Sequence, residues 1–113
     1  MANSFINKKV DLTTTDNTTL YTVPDANTAV IKSLLVSEDA GSGTTKTVTL
    51  TDSSSNVFSL FKTKTISSNT TTELLTQPLV MEEKEILKVQ AGEANELHVI
   101  ASILQIQPRE VTT

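Results

Sequence analysis

Residues 72–107 read TELLTQPLVMEEKEILKVQAGEANELHVIASILQIQ. Two polar turns divide this stretch: Glu82-Glu83-Lys84-Glu85 and Gly92-Glu93-Ala94-Asn95. Between them, residues 86–91 spell a short strand. Residues 74–81 form a strand-like segment interrupted by Pro78. The closing run, residues 96–107, is apolar at both parities. Leu97, Val99, Ala101 and Ile103 fall on one face; Ile100, Leu104 and Ile106 fall on the other. Successive side chains of a strand point to opposite faces. A strand apolar on both faces is expected at the centre of a packed β structure.

The rest of the chain has the same rhythm. Residues 18–23 read as a short strand that ends at Pro24, and Pro24-Asp25-Ala26-Asn27 forms a turn. Residues 29–37 form a second apolar strand, with Val30, Leu34 and Val36 on one parity and Ile31 and Leu35 on the other. A short helix there is less consistent with its β-branched content. The segment 46–52 alternates, with Val48 and Leu50 inward and Thr47, Thr49 and Thr51 outward. It forms a hairpin with residues 57–62, whose Phe58, Leu60 and Phe61 are candidate core. Residues 63–72 carry only Ile66 as a large apolar side chain and read as an edge strand and loop. About eight short strands at intervals of eight to twelve residues predict an all-β antiparallel sandwich, jelly-roll or immunoglobulin-like. The domain assignment is an extended N-terminal arm, residues 1–15, with an edge strand as the other reading. A sandwich follows over residues 16–107, and then a polar tail over residues 108–113, set off by Pro108.

Composition supports the same class and narrows function. Twenty of the 113 residues are Thr, which is β-branched and tolerates water on an exposed strand face. There is no cysteine, so no disulfide or thiolate metal site is expected. The net charge is −4 and the nine Lys and Arg are scattered, which argues against nucleic acid as a partner. No apolar run reaches the length of a membrane span. The N-terminal sequence MANSFINKKV lacks the apolar core of a secretory signal, so the protein is expected to act where it is made or to be assembled there into something larger.

No catalytic constellation emerges, and no enzyme activity or cofactor is expected. The one histidine, His98, reads as a strand residue that is partly exposed or hydrogen-bonded. Glu82, Glu83 and Glu85 could be offered as acid–base carboxylates, but consecutive acids in a turn are solvated and little raises their pKa. The loop Glu38-Asp39-Ala40-Gly41-Ser42-Gly43 lacks the ligand spacing of a calcium loop. Tyr21 is the only candidate platform for stacking on a sugar, and its other reading is a residue at the edge of the core.

Three motifs carry a resemblance. Tyr21, Val23, Pro24, Thr28, Lys32, Ser33, Leu34 and Val36 form the first. Val48, Leu50, Asp52 and Ser53 form the second. Pro78, Leu79, Val80, Glu82, Leu87, Lys88, Val89 and Ala91 form the third. Together, over residues 18–107, the chain resembles a family of small tailed-bacteriophage virion structural proteins. One position departs: a turn glycine of that family is replaced here by Glu83 or Lys84, where φ is often positive. The resemblance implies a virion component, such as a capsid decoration or cement protein, or a neck or tail accessory protein. Its partners would be other virion proteins, and it would be a homo-oligomer assembled in the host bacterial cytoplasm. The expected docking residues are Phe5, Ile6, Val10 and Leu12 in the arm, with Arg109 and Val111 in the tail. The competing reading is a receptor- or glycan-binding module of a tail fibre or surface protein.

Overall fold

The computed structural model describes residues 3–107 as nine strands. They are β1 (Asn3–Leu12), β2 (Thr18–Thr22), β3 (Thr28–Glu38), β4 (Thr44–Thr51), β5 (Val57–Ile66), β6 (Thr71–Glu73), β7 (Leu79–Met81), β8 (Ile86–Ala91) and β9 (Leu97–Ile106). Every pairing is antiparallel, and the pairs are nested: β1 with β9, β2 with β8, β3 with β6 and β7, β4 with β5. The chain is therefore one long ribbon doubled back at the β4–β5 turn. The ribbon then rolls, so that β9 also pairs with β3 and β8 with β4. The result is two sheets, β1-β9-β3-β6 with β7 also on β3, and β2-β8-β4-β5. This is the expected sandwich in its jelly-roll form. An immunoglobulin-like sandwich would pair several consecutive strands within one sheet; here β4–β5 is the one such pair among the described strands.

The core lies between the sheets. Leu97, Val99, Ala101 and Ile103 of β9 face inward, each at most 1% exposed. They meet Val48 and Leu50 of β4 and Leu87 and Val89 of β8 in one buried cluster. In β3 the simple alternation fails. A β-bulge between Ile31 and Ser33 adds Lys32 to the strand. Ala29 and Ile31 before it, and Leu34 and Val36 after it, are all buried, whereas Val30 and Leu35 turn outward. One extra residue shifts the period-2 pattern by one, which is why Val30 does not share a face with Leu34.

Several other expectations change. Residues 3–12 are not an arm but an edge strand, registered residue for residue on β9 from Asn3↔Ile106 to Leu12↔Leu97. Leu12 is 1% exposed and belongs to this chain's own core, so it offers nothing to a partner. Ile6 and Val10 are half-buried and pack against that core. Strand β5 runs on to Ile66, which is buried, whereas Phe58 is 54% exposed. Only Leu79–Met81 of the 74–81 segment is strand. Residues before it fill the gap between β6 and β7: the Leu74 N–H donates to the Leu34 carbonyl at 2.9 Å, and the Leu34 N–H donates to the Glu73 carboxylate at 2.7 Å. The turn at residues 82–85 keeps a left-handed residue without glycine, since Lys84 has φ +68°. A side chain there costs about 1 kcal/mol relative to glycine. The tail, with Arg109 and Val111, lies outside the described residues.

Candidate interaction surfaces

The outer face of the β1-β9-β3 sheet is partly apolar. Register across the strands sets Phe5, Leu104, Val30 and Val80 in one row. Directly opposed residues share a face of the sheet, so the four form a contiguous apolar strip. Phe5 is 79% exposed and Val80 60%. A second row holds Lys9, Ile100, Leu35 and Glu73, with Ile100 41% exposed. Between them runs the polar row Asn7, Ser102 and Ser33. A hollow of about 470 Å³ opens at that row, lined by Phe5, Ile6, Asn7, Lys32, Ser102 and Ile103. Strand β9 is central within its sheet, as its two apolar faces imply, but only one of those faces is covered by the second sheet.

The other exposed apolar pair is Val57 and Phe58, 63% and 54% exposed at the start of edge strand β5. Register shifts on either side of Val48 break the ladder between β4 and β5, and Thr63 has φ +55°. Bulges of this kind blunt an edge against unwanted pairing. The exposed pair precedes them, on the regular part of the strand.

Sequence reasoning missed three buried charges. Lys46 is inward-facing on β4 and 2% exposed. Its Nζ lies 5.2 Å from the centroid of the Phe61 ring and has no hydrogen-bond acceptor. Burial, with Lys64 opposite on β5, pushes its pKa down from 10.5 to about 8. The period-2 parity of Val48 and Leu50 assigns residue 46 to the inner face, so this burial is legible in the sequence. Glu38 and Glu96 are 1% and 7% exposed. The Glu38 carboxylate accepts from the Asn69 N–H at 2.9 Å and the Gly41 N–H at 3.1 Å, and Ser42 Oγ donates to Glu96. The Glu38–Gly43 loop is thus strapped down by its own Glu38 and by Glu96 from the turn before β9. The Asn69 amide is the largest cause holding the Glu38 pKa below 4.5, working against desolvation, with the loop amides adding to it. The bonds favour the carboxylate, so their contribution is complete above about pH 4.5 and is lost as pH falls through the lowered folded value. Glu38→Gln is expected to lower the melting temperature at neutral pH and to flatten its decline in acid. A melting series from pH 3 to pH 7 checks this; an unchanged acid slope would contradict it.

The sequence candidates fall in different places. His98 sits on the outer face, its Nε2 3.3 Å from Asp11 Oδ1 and its Nδ1 3.5 Å from Asp39 Oδ2, all three side chains about half exposed. Exposed pairs of this kind contribute little. Glu82, Glu83 and Glu85 border a cleft of about 520 Å³ with Ala26, Asn27, Thr28 and Ser53. There Glu83 accepts from the Ala26 N–H at 2.6 Å, and Glu85 from the Glu82 N–H at 2.8 Å. Among the described residues no group of three or more His, Asp or Glu side chains could hold a metal ion. Tyr21 is 3% exposed, and its hydroxyl donates to Gln105 Oε1 at 2.7 Å. Burial raises its pKa. It belongs to the core and has no ring face free for a sugar.

Comparison with known proteins finds similarity among solved structures. No family model matches the chain, and no curated protein does. Among solved structures it is similar to a pentameric capsid protein isolated from metagenomic phage sequences, at 18% identity and a TM-score of 0.41. The similarity covers 91% of this chain and 59% of that one. The chain thus spans about three-fifths of the length of the structure it matches.

Proposed function

We propose that this chain is a non-enzymatic structural component of a tailed-phage virion. It docks on other virion proteins as a capsid decoration or cement protein, or as a neck or tail accessory. The observation that carries the reading is the surface. A two-sheet body displays large apolar side chains in two groups, the Phe5–Val80 row and the Val57–Phe58 pair, and a contiguous exposed apolar patch on a small protein marks a contact site. The motif resemblance supplies the virion context. The jelly roll supports it by analogy alone, since lectins and cupins use the same topology. Burial of Tyr21 counts against the glycan-binding reading.

Docking on the particle is assigned to the β5 edge, where an extended neighbour can add a strand beside Val57 and Phe58. The test is rebinding to particles assembled without the protein, with bound copies counted by quantitative mass spectrometry. Wild type is expected to saturate at a fixed copy number. Phe58→Glu is expected to lose roughly tenfold or more in affinity while melting as wild type does. Failure of wild type to saturate the particles would contradict the proposal.

A further inference from the structure

The outer face of the β1-β9-β3 sheet has an internal symmetry that selects its occupant. Its lanes run β1, β9, β3, then β7 and β6. Turn a second copy over this face about a two-fold axis parallel to the strands. Lane β1 then lies over the partner's β7 and β6, and lane β9 over the partner's β3, while rows stay level. Phe5 meets the second copy's Val80, and Leu104 its Val30. One row pair further along, Ile100 meets Leu35, and Lys9 meets Glu73. Each contact occurs twice, as a two-fold interface requires. Apolar faces apolar, the one cation of the second row faces its one anion, and the polar Ser102 faces Ser33, with the exposed Lys32 lining the hollow at that polar row.

We infer that this face is the contact between two copies of the chain, packed sheet on sheet as a two-fold dimer. Packed sheets stay within about 30° of alignment, so the register holds best near the centre, at Leu104 and Ile100. The size is adequate. Ten residues of β9 at about 3.3 Å each, across four lanes about 4.8 Å apart, give a face on the order of 500 Å² in projection. A standard interface buries roughly 800 Å² per partner, so this face corresponds to the small end of stable contacts. The inference rests on this face alone and is independent of where the protein docks on a particle.

Sedimentation velocity over a dilution series up to about 100 µM tests it. Wild type is expected to sediment as a dimer. Val80→Glu sets an acid against Phe5 twice per dimer and is expected to raise the dissociation constant about 100-fold. Lys9→Glu sets acid against Glu73 and is expected to raise it roughly tenfold. Both positions are exposed, so melting of the monomer is expected to change little. Phe58→Glu, on the other sheet, is expected to leave the dimer intact, which separates this contact from particle docking. A monomeric wild type, a stoichiometry not divisible by two, or a dimer insensitive to both Val80→Glu and Lys9→Glu would overturn the inference.

Discussion

Deleting residues 1–12 is expected to abolish folding. The deletion removes β1 and all of its pairing with β9. It empties the site of Leu12 and strips the half-buried Ile6 and Val10 from the core. Loss of one buried leucine side chain alone costs about 2–5 kcal/mol, while a whole domain is stable by only about 5–15 kcal/mol. The deletion also leaves β9 as a bare edge, and an unprotected apolar edge aggregates. The expected result is a chain with no cooperative thermal transition, recovered largely in the insoluble fraction. A soluble truncated protein melting within a few degrees of wild type would restore the free-arm reading. A gentler version, Leu12→Ala, is expected to lower the melting temperature strongly while leaving a folded protein.

Lys46→Met is expected to stabilise the protein. The folded pKa of Lys46 is about 8 against an ordinary 10.5. Between those values the unfolded chain holds a proton that the folded chain has released, so stability rises with pH across that window. Below about pH 8 folding carries the full cost of an ammonium with no acceptor. The size of the shift, discounted for the solvent that screens the Lys64 repulsion, corresponds to about 1–3 kcal/mol. Methionine occupies a similar volume without the charge. The variant is expected to melt roughly 5–15 °C higher at pH 7. Its stability should no longer rise between pH 8 and pH 10. Above that range the raised pKa of Tyr21 works in the opposite direction, since the unfolded tyrosine ionises first. A variant that melts at or below the wild-type temperature, or keeps the alkaline rise, would show that Lys46 is compensated.

Much of the fold was legible because alternation is a strong signal on regular strands. The inward set of β9 and the Val48/Leu50 face of β4 follow directly from parity. Legibility ended where backbone geometry departed from period 2. The Lys32 bulge reversed the parity of β3, and nothing in the composition of residues 28–38 announces a bulge. The register shifts let β5 continue to Ile66, whereas Phe58, paired with Leu50 before them, is exposed because β5 is the edge of its sheet. Lys84 took a left-handed conformation without the glycine that would have signalled it. Segment 3–12 misled for another reason. Its exposed Asn, Ser and Lys residues resemble those of a free arm, because an edge strand on the rim of a sandwich buries few of its side chains.

The surface was less legible than the core. The Phe5, Leu104, Val30 and Val80 row draws on four strands far apart in the chain, and only the register brings them level. The two apolar parities of β9 were visible from the start. Two apolar faces predict burial on both sides, whereas the second sheet covers only one of them. Phe5 lies exposed on the outer face, whereas Leu12, further along the same strand, points into the core. That separation follows from alternation along β1: Phe5 shares the outer face of Leu104, and Leu12 the inner face of Leu97.

The most direct test of the central claim is a single-particle reconstruction of the intact virion, combined with mass spectrometric copy number. The account predicts repeated jelly-roll density at symmetry-related sites on the capsid, neck or tail, with the β5 edge turned towards a neighbouring protein. Purified particles that are complete and infectious yet contain only traces of this chain would contradict it.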